Sequence, residues 1–183
     1  MLETKRLILR NYKESDLDDY FEIVKQKEVG PRCGWEPRTE KSQALERLKI
    51  EMEKPLQFAI VEKESNKVIG SIELMNTKYE RYPTETADTN TKEIGFLLSQ
   101  NYWGKGYMTE ATEKIIEFAF KELNLNSIYI CHAEANTQSG RVKEKTGFKI
   151  INKTPNYRTW IDGTTTARIE RKLKKSDWLN KDN

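Results

Sequence analysis

The sequence predicts a single α/β domain in which one mixed sheet carries helices on its faces. Its 183 residues suit one domain with a sizeable core, and 36% of them are hydrophobic. Segments with strand and helix periodicities follow in the order β-α-α-β-β-β-α-β-α-β-β, an α+β succession that favours one layered sheet. No internal repeat or low-complexity tract interrupts residues 1–183, which we take as one domain.

Each predicted element follows from the spacing of its apolar residues. Alternation indicates strands, spacing of three and four indicates helices, and clusters of Gly, Pro and polar residues separate them. In the first half of the chain these patterns predict an edge strand at 4–11, a helix beginning near Ser15, a loop at 30–37, a helix at 41–53, a hairpin at 57–62 and 67–75, and a long polar connection at 76–91.

The second half of the chain continues the alternation of strands and helices. Its patterns predict a strand at 93–98, a helix at 107–123, a strand at 127–134, a short helix at 138–145 that Gly147 ends, and a closing hairpin at 148–153 and 165–173 linked through Asp162 and Gly163. The connection at 76–91 is long enough to favour a functional role.

Composition argues against several classes of function. The net charge is +3 with both signs interspersed, so no basic stripe for nucleic acid is expected. No segment approaches the ~20 apolar residues of a membrane-spanning helix, and the first residues lack the apolar core of a signal peptide. Cys33 and Cys131 with one histidine cannot build the usual four-ligand zinc site. We therefore expect a cytoplasmic protein with reduced thiols and no metal.

The most informative segment joins the strand at 93–98 to the helix that begins at Tyr107, through Gly104, Lys105 and Gly106. A helix start offers unpaired backbone N–H groups and a partial positive charge, which together favour phosphate. The segment fails as a P-loop because glycine follows the Gly-Lys pair, and Thr109 breaks the dinucleotide motif. A tight turn without a ligand remains the alternative for this segment alone.

A second segment, 136–148, adds decisive information. It reads Asn-Thr-Gln-Ser-Gly-Arg-Val-Lys-Glu-Lys-Thr-Gly-Phe, while 103–111 reads Trp-Gly-Lys-Gly-Tyr-Met-Thr-Glu-Ala. Together they resemble the GNAT acetyltransferase superfamily, and more closely its branch of ribosomal-protein N-terminal acetyltransferases. The order of elements agrees with that branch over residues 2–178. The resemblance implies the GNAT acyl-CoA N-acyltransferase fold, whose mostly antiparallel central sheet is splayed and flanked by helices.

The resemblance also implies acetyl-CoA as cofactor, with CoA as product. The pyrophosphate would lie on the backbone of 104–109, and the pantetheine arm would pair with 93–98, where Gly95 indicates a bulge or a close approach. Arg141 would reach a phosphate or pair with Glu144 or Glu110. The expected cofactor contacts are Phe96, Leu98, Asn101, Gly104, Lys105, Gly106, Tyr107, Met108, Thr109, Asn136, Ser139 and Arg141.

The expected chemistry is attack of a neutral primary amine on the thioester. At pH 7, deprotonation costs about 1.4 kcal/mol for an α-amine and about 4.6 kcal/mol for a lysine. A base acting through water suffices for an α-amine, and we choose Glu93, with Glu73 and Glu134 as rivals. Lys143 stands where many family members carry a tyrosine that protonates the departing thiolate, so we assign this role to Ser139.

Three further side chains are weighed between structural and functional roles. His132, the only histidine, alternates with apolar residues on a strand and is expected in the core rather than as a base. Trp35 either forms a wall of the acceptor site or anchors its loop, and Trp103 is expected to pack the turn.

The sequence thus predicts an acetyl-CoA-dependent N-acetyltransferase of a primary amine, with the N-terminus of a protein as one candidate acceptor. A polyamine, an antibiotic or another small amine is the alternative acceptor. A non-catalytic acyl-CoA-binding sensor is the alternative from another class, favoured by Lys143 at the tyrosine position. No direct nucleic-acid or membrane partner is expected, and the protein is a monomer or a homodimer.

Overall fold

One eight-stranded sheet organises the chain. The computed structural model describes residues 1–78, 82, 90–158, 163 and 165–180. The strands are β1 (Leu2–Glu3), β2 (Leu7–Arg10), β3 (Gln57–Glu62), β4 (Lys67–Asn76), β5 (Thr91–Leu98), β6 (Ser127–Ala133), β7 (Lys149–Arg158) and β8 (Thr165–Lys174). The α-helices are α1 (Leu17–Val24), α2 (Gly30–Cys33), α3 (Lys41–Glu53), α4 (Tyr107–Lys121), α5 (Thr137–Lys145) and α6 (Lys175–Leu179).

Most predicted elements are confirmed to within a few residues. Helix α3 has the predicted bounds, α4 ends two residues before the predicted 123, and α5 starts one residue before the predicted 138. Helix α6 was not predicted, because its five residues are too few to show a period. The connection at 76–91 and the link through Asp162 fall mostly outside the described residues.

Two predictions in the first half were wrong. The loop at 30–37 begins with the short helix α2, in which Pro31 occupies the first turn and the left-handed Gly34 ends the helix. The strand at 4–11 is not at the edge, because Leu2–Glu3 turns back and pairs outside β2.

The sheet is mostly antiparallel, with the strands in the order β1-β2-β3-β4-β5-β6-β8-β7. Among the strands that the structure describes, only β5 and β6 run parallel, because α4 carries the chain over the sheet between them. This is the mixed α/β sheet that the sequence predicts.

The parallel pair is short. Its register covers Thr91 to Glu93 on β5 and ends at Tyr129 on β6. Beyond this point β5 remains paired with β4 up to Leu98, and β6 remains paired with β8 up to Ala133. The sheet therefore opens between its two central strands, and the facing strand edges leave backbone groups available to a ligand.

Gly95 lies on the open stretch of β5, but the predicted bulge is absent. The register between β4 and β5 is continuous from Asn76 with Lys92 to Gly70 with Leu98. A Cβ added at Gly95 would lie 2.6 Å from the methyl group of Met75, so the close approach there is made by a flexible side chain.

Each face of the sheet has its own hydrophobic core. Helix α4 packs Ala111, Ile115 and Ala119, all fully buried, against one face. Helices α1 and α3 cover the other face with a cluster that includes Ile23 and Leu48. Because the cores lie on opposite faces, the opening between β5 and β6 connects two differently built sides of the molecule.

Candidate active site

A cavity of about 920 Å³ occupies the opening between β5 and β6. On the face of α4 it is bordered by the turn before α4 and by the start of α5. On the opposite face it is bordered by α2, the Trp35 loop and residues of α3. Its size and its concave shape at the divergence of two strands are those of a small-molecule site.

The turn before α4 presents unpaired backbone donors to this cavity. Gly104 and Gly106 have φ angles of 77° and 82°, which other residues adopt only with strain. No side chain caps α4, and the N–H of Glu110 is the first to find a helical acceptor, the carbonyl of Gly106 at 3.1 Å. The amides of residues 107–109 therefore remain available to an anion, as the sequence predicts.

Glu110 fixes this turn to the N-terminal strands. Its carboxylate accepts hydrogen bonds from the Arg6 backbone at 2.9 Å, from Arg6 Nε at 2.7 Å and from the Thr4 hydroxyl at 2.6 Å. Arg6 also donates to the carbonyl of Lys105 at 2.9 Å. Burial opposes ionisation of Glu110, but the hydrogen bonds from Thr4 and Arg6 outweigh it and lower its pKa. Glu110 is thus the partner of Arg6, not of Arg141.

The expected phosphate contacts do not all border the cavity. Gly104, Gly106 and residues 107–109 do. Asn101 and Lys105 are exposed and lie outside its lining, and the Lys105 ammonium lies 5.3 Å from the ring centre of Tyr102. The groups that this turn presents to the cavity are therefore backbone amides rather than the side chains of Asn101 and Lys105.

The open edge of β5 offers backbone carbonyls at the two predicted positions. The Phe96 carbonyl accepts a weak hydrogen bond from the Cys33 thiol, with sulfur and oxygen 4.0 Å apart. The Leu98 carbonyl already accepts from the indole of Trp103 at 2.9 Å. Phe96 is thus the more available carbonyl, while Trp103 fixes the end of the strand in the packing role expected for it.

The start of α5 forms the other wall of the cofactor side. The Asn136 side chain caps the helix by accepting from the Ser139 amide at 3.2 Å, so Asn136, not Ser139, is the capping residue. Arg141 is exposed, borders the cavity and forms no ion pair within the described part of the chain. Its guanidinium remains free to contact a phosphate group.

Lys143, which the sequence analysis noted only as a departure from the family tyrosine, is a buried residue of the cavity wall. Its side chain is 2% exposed, and its ammonium donates to the Cys131 carbonyl at 2.6 Å and to the Ser139 hydroxyl at 2.9 Å. It also lies 5.4 Å from the ring centre of Phe96. Burial lowers the pKa of Lys143 to about 7. The available signal was its spacing of four residues from Ser139, which places both on one helical face.

Glu93 lies where β5 and β6 diverge, 2% exposed and on the cavity wall. The Cys131 thiol lies 3.8 Å from its carboxylate. The phenol of Tyr82 belongs to the same cluster, because burial, Cys131 and Glu93 all raise the pKa of Tyr82. Tyr82 lies in the polar connection at 76–91, where the sequence pattern gave no reason to select it.

Glu73 and Glu134, the alternative candidates for the base, are not placed like Glu93. Glu73 borders the cavity but pairs with Lys54 at 3.1 Å. Glu134 is exposed, pairs with Lys153 at 2.7 Å and does not border the cavity. His132 lies against Gly140 of α5, and burial with the nearby Lys143 lowers its pKa to about 3, so it is neutral at physiological pH.

We call the side of the cavity bordered by α2, the Trp35 loop and α3 the acceptor side, because the acceptor is expected there. Its carboxylates, Glu51 and Glu73, are paired with cations of the chain. Glu51 pairs with Arg47 at 2.5 Å and with Lys54 at 3.0 Å, and Lys54 also pairs with Glu73. With its NH₂ group turned toward the carboxylates, Gln57 donates to Glu51 at 3.3 Å and to Glu73 at 3.0 Å. These carboxylates are therefore held by cations of the chain itself.

Trp35 anchors its loop, as predicted, and also borders the cavity. A Cβ at Gly30 would lie 2.7 Å from the indole, and the Trp35 amide donates to the Gly30 carbonyl at 3.1 Å, so the ring anchors its loop. It packs partly buried against the core of α1 and α3 and also borders the cavity. The Arg38 guanidinium lies 6.0 Å from its ring centre.

Comparison with known families identifies the chain. The model of the acetyltransferase (GNAT) domain matches residues 6–149, which contain both glycine-rich and Asn-to-Phe segments. This chain belongs to the GNAT acetyltransferase family. The GNAT fold and an N-acetyltransferase activity that uses acetyl-CoA follow from this membership, as the sequence predicts.

Three relatives illustrate how this GNAT acetyltransferase compares with others. "Uncharacterized N-acetyltransferase p20" of Bacillus licheniformis is 31% identical over 81% of this chain and 82% of that protein. "Putative ribosomal N-acetyltransferase YdaF" of Bacillus subtilis is 35% identical over 47% of this chain and 46% of that protein. A spermidine N-acetyltransferase from Vibrio cholerae, solved with CoA and spermine, has a TM-score of 0.77 at 19% identity, covering 97% of this chain and all of that chain.

The groups that border the cavity suit the chemistry of CoA. The uncapped amides at the start of α4 suit the phosphates of CoA, and so does the guanidinium of Arg141, which has no ion pair among the described residues. The open edge of β5 suits the amide-bearing arm of CoA. Among the described residues, no group of three His, Cys, Asp or Glu side chains is arranged to hold a metal. None of the helices described is both long and apolar enough to cross a membrane.

The backbone anion site can be tested at Thr109. Thr109→Pro removes one N–H in the first turn of α4, where proline is tolerated, and should weaken CoA binding by about 1.5–3 kcal/mol, the value of one hydrogen bond to a charged group. Isothermal titration with CoA measures the change. Thr109→Ala keeps the amide and should bind within about threefold of the original protein. Equal affinities of the two variants, both folded, would contradict a phosphate site on these amides.

Proposed function

We propose that this acetyltransferase transfers the acetyl group to a free α-amine, with the N-terminus of a protein as the acceptor. One observation carries the proposal: the buried carboxylate of Glu93 lies on the cavity wall where β5 and β6 diverge. An α-amine has a pKa near ~8, so a carboxylate acting through a water molecule suffices to deprotonate it.

The charges on the acceptor side favour an acceptor with one amine over a polyamine. Glu51 and Glu73 already pair with Arg47 and Lys54, while Arg38 has no carboxylate partner among the described residues. A polyamine would bring several positive charges toward Arg38, Arg47 and Lys54, where the nearby carboxylates Glu51 and Glu73 are already paired, and like charges raise the cost of binding. An α-amine brings a single charge and loses it before attack.

In the proposed mechanism, a few residues of the cavity wall have distinct roles. When bound, acetyl-CoA supplies an acetyl thioester that a neutral amine attacks directly. Glu93 accepts the proton of the amine, and its burial keeps this proton transfer away from bulk solvent. The amides of residues 107–109 would hold the phosphates, and Ser139 would donate a proton toward the departing sulfur. Trp35 closes the acceptor side.

Related proteins support the proposed acceptor, and the free cysteines support the proposed location. The relative named as a ribosomal N-acetyltransferase supports a protein N-terminus as acceptor, whereas the spermidine enzyme, at 19% identity, shows only the shared fold. Cys33 and Cys131 are free thiols, which suits the cytoplasm as the proposed location. A monomer or a homodimer remains our proposal for the assembly.

The acceptor class can be tested by measuring thiol release from acetyl-CoA. We expect kcat/KM for a peptide with a free N-terminus to exceed that for spermidine by about 10-fold or more, because the peptide brings one amine charge to a region without a free carboxylate. The same peptide with an acetylated N-terminus is the matched control and should give no release. Arg38→Glu should shift the preference toward spermidine, and Arg38→Met should shift it less.

The thiol-release measurements distinguish the α-amine transferase from a polyamine transferase and from a sensor. Preference of the original protein for spermidine would overturn the α-amine proposal. CoA binding without release from any acceptor would support the acyl-CoA sensor instead.

The role of Glu93 can be tested by removing its charge. Glu93→Gln keeps the shape of the side chain but cannot accept the proton, so kcat should fall by about 10²- to 10⁴-fold while the Kd for CoA changes little. Steady-state kinetics and titration calorimetry give the two values. Glu134→Gln, at the exposed rival outside the cavity, is the control and should leave kcat unchanged. A normal kcat in Glu93→Gln would remove Glu93 from the mechanism.

A further inference from the structure

Lys143 is a buried cation without an ion pair. Its side chain is 2% exposed, and no carboxylate lies within ion-pair distance of its ammonium among the described residues. Buried lysines without a partner are rare, because burying an isolated charge is costly. The charge is held instead by the Cys131 carbonyl at 2.6 Å, the Ser139 hydroxyl at 2.9 Å and the face of the Phe96 ring.

The direction of the bond between Lys143 and Ser139 has a chemical consequence. The lysine donates and the serine oxygen accepts, so the hydroxyl proton of Ser139 is not used in this bond. Both residues border the cavity, beside the stretch of β5 that is open to the cofactor. The hydroxyl can therefore donate into the cavity while it accepts from the buried ammonium behind it.

We propose that Lys143 supplies, through Ser139, the proton that the departing sulfur of CoA takes up. This inference rests on the proposed transfer reaction at the same cavity. Lys143 acts through Ser139 and is therefore a positioning and proton-supplying residue, whereas Ser139 is the residue that contacts the reacting sulfur.

The proton transfers balance. As the bond between the acetyl carbon and the sulfur breaks, Ser139 gives its hydroxyl proton to the sulfur and takes one proton from Lys143 Nζ. Lys143 is left as a neutral amine that still donates a hydrogen bond to the Cys131 carbonyl. The proton lost by the acceptor amine to Glu93 passes to solvent, and one proton from solvent restores the ammonium. The net reaction yields one amide and one thiol.

The protonation of Lys143 is suited to this task. Burial lowers its pKa to about 7, so that it holds a proton near neutrality yet releases it more readily than an exposed lysine. A thiol has an ordinary pKa of ~8.5, so transfer from such an ammonium to a thiolate is downhill. Arg171 of β8 lowers the pKa of Lys143 further, whereas three groups raise it: Cys131 of β6, Cys33 of α2 and Glu93 of β5. The neighbouring His132 of β6 is neutral.

The first test is kinetic. Lys143→Met keeps the length of the side chain and removes the proton, so kcat should fall by about 10- to 100-fold while KM for acetyl-CoA stays within about twofold. The original enzyme should lose kcat as the pH rises through about 7, because Lys143 must be protonated to act. Lys143→Arg keeps the positive charge but cannot release a proton, so it should be as slow as Lys143→Met. Recovery of kcat in Lys143→Arg would show that only the charge matters and would overturn the proton supply.

A double-mutant cycle tests the path through Ser139. If the proton passes from Lys143 through Ser139, then Lys143→Met combined with Ser139→Ala should be no slower than the slower single variant. Multiplied losses in the double variant would show two independent roles and overturn the relay. A kcat for Lys143→Met within twofold of the original would also overturn it.

The second test does not depend on activity. In the protein with ¹³C-labelled lysine and no cofactor, one resonance should titrate near pH 7 and should be missing from Lys143→Met and from no other single-lysine variant. Lys105→Met, on the exposed turn, is the matched control. Titration of this resonance at about 10, as for an exposed lysine, would overturn the proposal. If the original enzyme releases no thiol with any acceptor, the proposed function fails, and this titration still decides how Lys143 is protonated.

Discussion

The structure depends on where the pairing between β5 and β6 stops. Parallel strands pair less favourably than antiparallel ones, and here only the residues up to Glu93 and Tyr129 are paired before each strand follows its antiparallel neighbour. The divergence creates the cavity, frees the edge of β5 and connects the cofactor side with the acceptor side. A sheet that stayed closed to Leu98 would bury the same apolar side chains but would leave no space for two substrates to meet.

Everything on the cofactor side is positioned relative to this opening. The left-handed glycines turn the chain from β5 into α4, and the carboxylate of Glu110, held by Arg6 and Thr4, fixes the turn to the first two strands. Helix α5 enters from the opposite side, capped by Asn136. Helix α5 is joined to β6 by the hydrogen bond from Lys143 to the Cys131 carbonyl, so both sides of the opening are held by hydrogen bonds to the sheet or to its N-terminal connection.

Several polar and charged groups are buried together near the junction. Glu51 and Glu73 are compensated by cations, Glu93 lies with Tyr82 and Cys131, and Lys143 is held by a carbonyl and a hydroxyl. Such burial is costly, and near the cavity it lowers the pKa of Lys143 and of His132 and raises the pKa of Tyr82. The paired charges and the backbone donors lie on opposite faces of one sheet. The face covered by α3 carries the paired charges, and the face covered by α4 carries the backbone donors.

The sequence by itself determined the family and most of the element order, and it predicted an anion site at Gly104 to Thr109, because these depend on local spacing and on motifs that are continuous in the chain. It also selected Glu93 and Ser139 as candidates. It did not determine that Leu2–Glu3 forms the edge, that Glu110 pairs with Arg6, or that Tyr82 joins Glu93, because these contacts join residues far apart in the chain. Only the tertiary structure decided the state of Lys143: the same side chain would be an ordinary cation on a surface helix, and its burial against β6 is what lowers its pKa.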